Sequence, residues 1–504
     1  APLVRRRGRL VEVSWDEALE IVAQGLKQYQ GDQFAMVCSA ASTNEENYAL
    51  QKFARVVMNS NNVALAADFP EYEGAGGLLD TLKSINGPAI HDIRGASSIL
   101  VIGANVYESH PIIGLEIRHA LNRGARLITL DTRETRMAKR SDLWLQPRMG
   151  TDHILLAGMI EALAEEGRTI PSREFTHVDL TGVATETGVK KEAITAAARM
   201  LNEHASTIVI YGSGVTHHPT ASEVVKAIHS LAFVLGNAGV IPVPGEGNFV
   251  GAHDMGVHPT LLPGYRLIAD SKARAAFEVA WKATLNPNKG RTYEQILDGV
   301  REKQIKALYV AGELPPLPEL ANLSFLVVQD IVSTENLEYA HVVLPATTFA
   351  EMDGTLTNLE GRVQLLRQAI PPVGLSQPGW MIIRNVAERM GTAHLNYQSS
   401  ADVMTEIRTI VPAYAEVNYE TMKVDGVLRR FEPASKPRFL PFKLDKVPQF
   451  SSKEFPLTLM TERNLFYYHG ACLTEQVKGM NLIKKEEVLH PVSYTHLTLP
   501  TNRE

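Results

Sequence analysis

Cysteine is scarce in this chain of 504 residues, which has two, Cys38 and Cys472, far apart in sequence. So few thiols exclude a disulfide framework, a four-cysteine zinc site and a four-cysteine iron–sulfur cluster built from this chain alone. Sparing use of cysteine also suits a reducing compartment. Cys38 ends an apolar run, which predicts a buried structural thiol. Long apolar runs are missing too. None reaches the roughly 18 to 20 residues that a membrane-spanning helix needs. No signal-peptide pattern opens the chain, and Ala1 is not an initiator methionine, so the natural start is expected upstream. A large excess of one charge is also lacking. The net charge of -6 gives no reason to expect nucleic acid or an anionic membrane as a partner. The run Arg5-Arg6-Arg7 is short and reads as a solvated linker. Nothing resembles a nucleophile elbow, a phosphate-binding P-loop or a paired-histidine zinc helix. His217 and His218 are adjacent, so in regular structure their side chains diverge, and a solvated or substrate-lining pair is expected. His253 and His258 lie in a Gly-rich loop with no carboxylate at a metal-ligand spacing.

The length allows two to four domains. Short apolar runs alternate with helical stretches, the pattern of α/β domains with largely parallel sheets. Residues 34–38, 98–102, 126–130, 208–211, 307–310, 325–329 and 341–344 read as strands. Thr43-Asn44-Glu45-Glu46 is a capping start for a helix to about Met58. Tyr48, Phe53 and Val56 share its buried face, while Lys52 and Arg55 snorkel or face solvent. Residues 111–122 read as a helix stopped by Gly124. Residues 436–453, rich in Pro, Lys and Phe, read as a linker, and 455–460 as a new strand. The tail VSYTHLTLPTNRE, from Val492 to Glu504, fits nothing before it. Its first ten letters resemble one reading frame of a common transposon-type sequencing adapter. Residues 492–504 are therefore read as adapter-derived, and the natural chain is expected to continue past Pro491.

In doubly wound sheets, ligands bind outside the carboxyl ends of strands, at the switch in strand order. Gly103-Ala104-Asn105 stands at such an end, with Glu108 one turn on. Asp131-Thr132-Arg133 stands at the next, where an acid can take ribose hydroxyls. Gly212-Ser213-Gly214 follows a third, where small residues let backbone amides approach a phosphate. Gly312-Glu313 and Asp330 end two later strands. Together they point to a dinucleotide-type ligand, without the compact nicotinamide fingerprint.

Further motifs follow in a fixed order. Pro2 to Arg5 leads to Val13-Ser14-Trp15-Asp16-Glu17-Ala18. Then come the Gly103–Glu108 loop with Pro111, Asp131 to Arg133, and Gly150-Thr151-Asp152. After these stand GEGNFVGAHDMG at 245–256 and Pro263-Gly264-Tyr265. Val342 to Pro345, Glu351, Asp353-Gly354-Thr355 and Asn358 to Gln364 form the most specific set. Residues 457–470 and Thr474 close the series. From Pro2 to Pro491 this order resembles the molybdopterin guanine dinucleotide oxidoreductases. That family includes formate dehydrogenases, nitrate reductases and the large iron–sulfur subunit of respiratory complex I.

The resemblance implies an α/β fold of two Rossmann-like doubly wound domains, of the formate dehydrogenase type, each cradling one guanine dinucleotide. Residues 1–65 and 266–435 would form one discontinuous domain and 66–265 the other. Residues 454–491 would start a C-terminal β-barrel domain that adds Thr461 and His469. With these, the implied cofactor contacts are Gly103, Asn105, Glu108, Asp131, Arg133, Gly150, Asp152, Gly212, Gly214, Gly312, Glu313 and Asp330. Iron–sulfur clusters would belong to an upstream part.

One motif departs from the family. A molybdenum ligand follows Asn-Asn-Val in active members, yet Asn61-Asn62-Val63 continues as Ala64-Leu65-Ala66-Ala67-Asp68-Phe69-Pro70-Glu71-Tyr72, with no sulfur. The formate dehydrogenase ligand falls on Pro70 and the following histidine on Glu71. His341 also stands where the family usually has Asp. The missing ligand, with the Glu360-Gly361-Arg362 form of the signature, favours the complex I branch, a subunit of bacterial NADH–quinone oxidoreductase. The implied protein then has a degenerate metal site and no catalytic residue in this span. It would lie in the cytoplasm, reaching the inner membrane only through other subunits of a respiratory complex. The alternative is a molybdenum-dependent oxidoreductase resembling formate dehydrogenase, with Asp68 as metal ligand.

Overall fold

The computed structural model describes residues 1–66, 88–171, 174–245, 247–314, 317–431, 438–444, 454, 474 and 477–482. Asp68, Pro70, Glu71, Thr461, His469, the strand expected at 455–460 and the tail all lie outside the described residues. Ala1–Asp445 form one compact unit and Lys446–Glu504 a second. Among the described residues, no helix is long and apolar enough to cross a membrane.

The strands, in chain order, are β1 (Leu3–Arg6), β2 (Arg9–Glu12), β3 (Phe34–Cys38), β4 (Val63–Leu65), β5 (Ser98–Ile102), β6 (Arg126–Leu130), β7 (Leu143–Leu145), β8 (Thr207–Tyr211) and β9 (Ala238–Pro242). A short hairpin follows, β10 (Leu261–Leu262) with β11 (Arg266–Leu267). Then come β12 (Ala307–Ala311), β13 (Phe325–Asp330), β14 (Val342–Pro345), β15 (Gly354–Thr357), β16 (Arg362–Leu366) and β17 (Val427–Leu428).

The first sheet runs β2-β1-β14-β13-β12-β3-β4, and the second β7-β6-β5-β8-β9. All pairings in the second are parallel. In the first, β14 to β4 are parallel and the β1–β2 hairpin adds an antiparallel edge. Strands β3, β5, β8 and β12 are buried along their whole length. Their unbroken apolar runs are what a parallel sheet covered on both faces requires. In each sheet the order reverses at one place, between β5 and β8 in the second and between β3 and β12 in the first. Residues following those four strands therefore meet at a switch point. The third sheet, β15-β16-β17, is antiparallel.

Three expectations need correction. Arg5 and Arg6 belong to β1, and Arg7 with Gly8 forms its left-handed turn, so the basic run is a hairpin and not a linker. The helix Asn44–Lys52 has the expected capping box, then widens into a π turn at Phe53–Val57. Lys52 and Arg55 on it are buried. Lys52 pairs with Glu406 at 2.7 Å, and Arg55 donates to Gln51, Asn61 and the carbonyls of Gly256, His258 and Leu261. Distant partners replace the water that snorkelling would supply. Finally, 438–444 is a docked strap. Phe439 is buried against Phe175 and Phe233, and Leu440 exchanges hydrogen bonds with Ser230.

Candidate cofactor site at two sheet edges

At the second sheet's switch point, Gly103 follows β5 and Gly214 follows β8. Gly103 has φ +53°, and the Gly214 amide donates to its carbonyl at 3.0 Å. A Cβ on Gly214 would lie 2.7 Å from that oxygen, so only glycine permits the approach. The amides of Gly103 and Gly212 donate to Leu130 and Ile102 carbonyls. These three amides are engaged within the protein, which corrects the expectation that glycines here offer amides to a phosphate. Their smallness packs two loops together. Gly312 repeats the pattern in the first sheet. It has φ +105°, its amide donates to Gln329, and a Cβ would sit 2.6 Å from that of Ser39.

Carboxylates remain at both edges. Asp131, after β6, accepts the Arg133 amide at 2.9 Å and closes a tight turn. Trp144 and Gln146 donate to the carbonyls of Asp131 and Thr132, locking that turn to the strand beside it. Asp152 opens the helix Asp152–Glu165 after Gly150, whose φ is +82°. Burial and then the neighbouring Asp131 charge push the Asp152 carboxyl up to about 6, against a pull downward from its own backbone amide. The loops after β6 and β7 therefore converge. Asn105 follows Gly103, and its Oδ1 is buried with no partner among the described residues. Glu108 lies one turn on, 3.9 Å from Arg136.

At the first sheet's edge, Asp330 ends β13. Burial, with Glu313 after β12 adding like charge, raises its carboxyl to about 6. Its Oδ1 accepts the Ile331 amide at 2.7 Å, while Oδ2 is buried with no partner among the described residues. Sequence reasoning missed Asn47, whose Nδ2 donates to Ser39 and Ser42 carbonyls and whose buried Oδ1 lacks a partner among the described residues. The orphaned oxygens at Asn105 and Asp330 are acceptors. They fit a ligand rich in donors, such as ribose hydroxyls or the N–H edge of a purine or pterin ring.

The histidines fall elsewhere. His217 is exposed, while His218 is half-buried and bonds Thr220. His253 is buried, and burial lowers it to about 4. His341 accepts the Leu326 amide through Nδ1 at 3.1 Å, which gives the histidine a structural role at this position.

The profile of the family described as molybdopterin oxidoreductase matches residues 1–389. The chain is 35% identical to the F420-dependent formate dehydrogenase subunit alpha of Methanocaldococcus jannaschii, over 97% of this chain and 78% of that protein. It is 34% identical to the F420-dependent formate dehydrogenase 2 subunit alpha of Methanococcus maripaludis, over 94% and 77%. Acetylene hydratase from Pelobacter acetylenicus shares the fold, with a TM-score of 0.60 at 20% identity, covering 83% of this chain and 64% of that one. These relatives are named as formate dehydrogenase subunits, which favours the alternative expectation over a complex I subunit.

Proposed function

We propose that this chain, which belongs to the molybdopterin oxidoreductase family, is the cofactor-carrying part of a formate dehydrogenase-type oxidoreductase. The observation that carries the reading is the pair of carboxyl edges of the two parallel sheets, each with a part-buried aspartate raised beside a second carboxylate. Asp131, Asp152 and Asn105 would hold the guanosine of one pterin dinucleotide, and Glu313 with Asp330 that of a second. A carboxylate accepts two hydrogen bonds from a guanine edge or from a ribose diol, and burial strengthens both. Gly150, at φ +82°, turns the chain into the helix that Asp152 opens. When bound, the cofactor would supply the two-electron acceptor for oxidation of formate to carbon dioxide and a proton. Partner subunits would carry the electrons onward, a reading supported by the relatives' being named as alpha subunits.

Asp68 is the candidate protein ligand, because no cysteine follows Asn61-Asn62-Val63 until Cys472. The test is formate-dependent reduction of a viologen dye by the full-length protein from its native host, with molybdenum and tungsten measured alongside. Stoichiometric metal and dye reduction, both lost in Asp68→Ala, are expected. A metal-free protein that reduces no dye contradicts the reading.

A further inference from the structure

The β15–β16 hairpin joins two parts of the compact unit that share no strand pairing. At its root, the Thr355 amide and hydroxyl both donate to Glu45 at 2.8 Å, and Asn44 Nδ2 donates to the hydroxyls of Thr355 and Thr357. Glu45 and Asn44 open the helix that follows β3, so the root is fastened to the first sheet's half. At its tip the hairpin reaches the second sheet's half. Leu359 packs on the core formed by Ile93, Ile99, Val101 and Val243. Glu360 Oε2 accepts the Ile90 amide at 3.0 Å, while Oε1 accepts Arg362 Nε at 2.7 Å.

The tip is also shaped from within. Asn358 Oδ1 accepts the amides of Glu360 and Arg362, and Gly361 closes the turn at φ +79°. Arg429 donates its amide to the Gly361 carbonyl, fixing the turn from below. A turn held by its own polar groups and by Arg429 keeps its form, so its contacts transmit position.

The two sheets sit in one compact unit, and contacts that cross between its parts, the buried Arg55 and Arg429–Asp254 links among them, fix their relation. Two attachment points on one stiff hairpin block a rotation that either alone would permit. We propose that the Asn358–Arg362 tip is a latch that fixes the spacing of the two carboxylate edges, with Leu359 and Glu360 as its positioning residues. Its use for a ligand gripped at both edges rests on the function proposed above; the latch itself does not.

The test measures the spacing directly. Spin labels replace Lys139, on the second sheet's side, and Glu335, on the first, both exposed, in the full chain with Cys472→Ser. Pulsed electron spin resonance should give one narrow distance distribution for the unaltered tip. The Leu359→Ala/Glu360→Ala pair should lose that single peak, and Glu360→Gln, which keeps shape and an acceptor oxygen, should largely retain it. A pair variant with a lowered melting temperature but an unchanged narrow peak overturns the proposal, leaving the tip a stabilising contact alone. A GDP titration separates this from the function. An unaltered chain that binds no GDP counts against the nucleotide assignment, while the distance result still decides the latch.

Discussion

Arg429 and Asp254 form an ion pair with both side chains shut away from solvent, and Tyr414 shares the same carboxylate at 2.6 Å. Arg429→Ala leaves a buried carboxylate facing an aromatic hydroxyl. It should cost about 3–5 kcal/mol in urea denaturation, the usual penalty for stranding one buried charge. Replacing the pair together, as Asp254→Leu/Arg429→Met, should cost much less. Equal losses in the two proteins would show that Asp254 tolerates its isolation.

Glu45 gives the fold a pH dependence. Burial raises its carboxyl from 4.5 to about 7, against hydrogen bonds from Thr355 and Tyr419 that pull it down. The folded state therefore favours the neutral acid. That contribution is fully present below pH 4.5 and is lost as pH rises through 7. At about 1.4 kcal/mol per pH unit, the loss across the window is about 3 kcal/mol. Glu45→Gln, neutral throughout, should gain stability relative to the parent between pH 5 and about 8. Parallel stability curves for the two proteins would assign the slope to other groups.

Glu313 and Asp330 are coupled by like charge. Glu313→Gln should move the Asp330 titration down from about 6, in carbon-13 spectra of aspartate-labelled protein. Burial remains, so the value should stay above that of a free aspartate. An unmoved Asp330 would mean that burial alone sets it, and that Glu313 faces away from the edge.

Gly214 is a steric prediction. An alanine there places a Cβ 2.7 Å from the Gly103 carbonyl oxygen. Gly214→Ala should lower stability by about 1–3 kcal/mol, as overpacking does. It should also weaken GDP binding, because the loops carrying Gly103 and Asn105 must shift. Full stability with full binding would show that the two loops part without cost.

Much of the scaffold was legible because its strands are apolar on both faces. The runs at Phe34–Cys38, Ser98–Ile102 and Arg126–Leu130 match β3, β5 and β6 residue for residue. The capping box at Thr43 was legible too, since all its groups lie within four letters. Partners brought from far along the chain were not. Lys52 looks like a surface lysine until Glu406 and Tyr397 arrive from the other end of the sequence. The 438–444 strap reads as a linker because the aromatic site that takes Phe439 is built from Phe175 and Phe233. At the edges, the positions of Gly103, Asp131 and Asp330 followed from strand ends, but the engagement of the glycine amides did not. An amide's partner depends on strand order, which local pattern does not encode. The choice between family branches rested on the letters after Val63 and on Glu360-Gly361-Arg362, short stretches set against similarity over more than nine-tenths of the chain.

The most direct measurement is the guanine nucleotide content of the full-length protein from its native host. Acid hydrolysis of the denatured protein should release guanosine monophosphate in proportion to bound molybdenum or tungsten. Release should fall in Asp152→Asn and in Asp330→Asn. A protein carrying neither the metal nor any releasable guanine nucleotide contradicts a cofactor held at the two sheet edges.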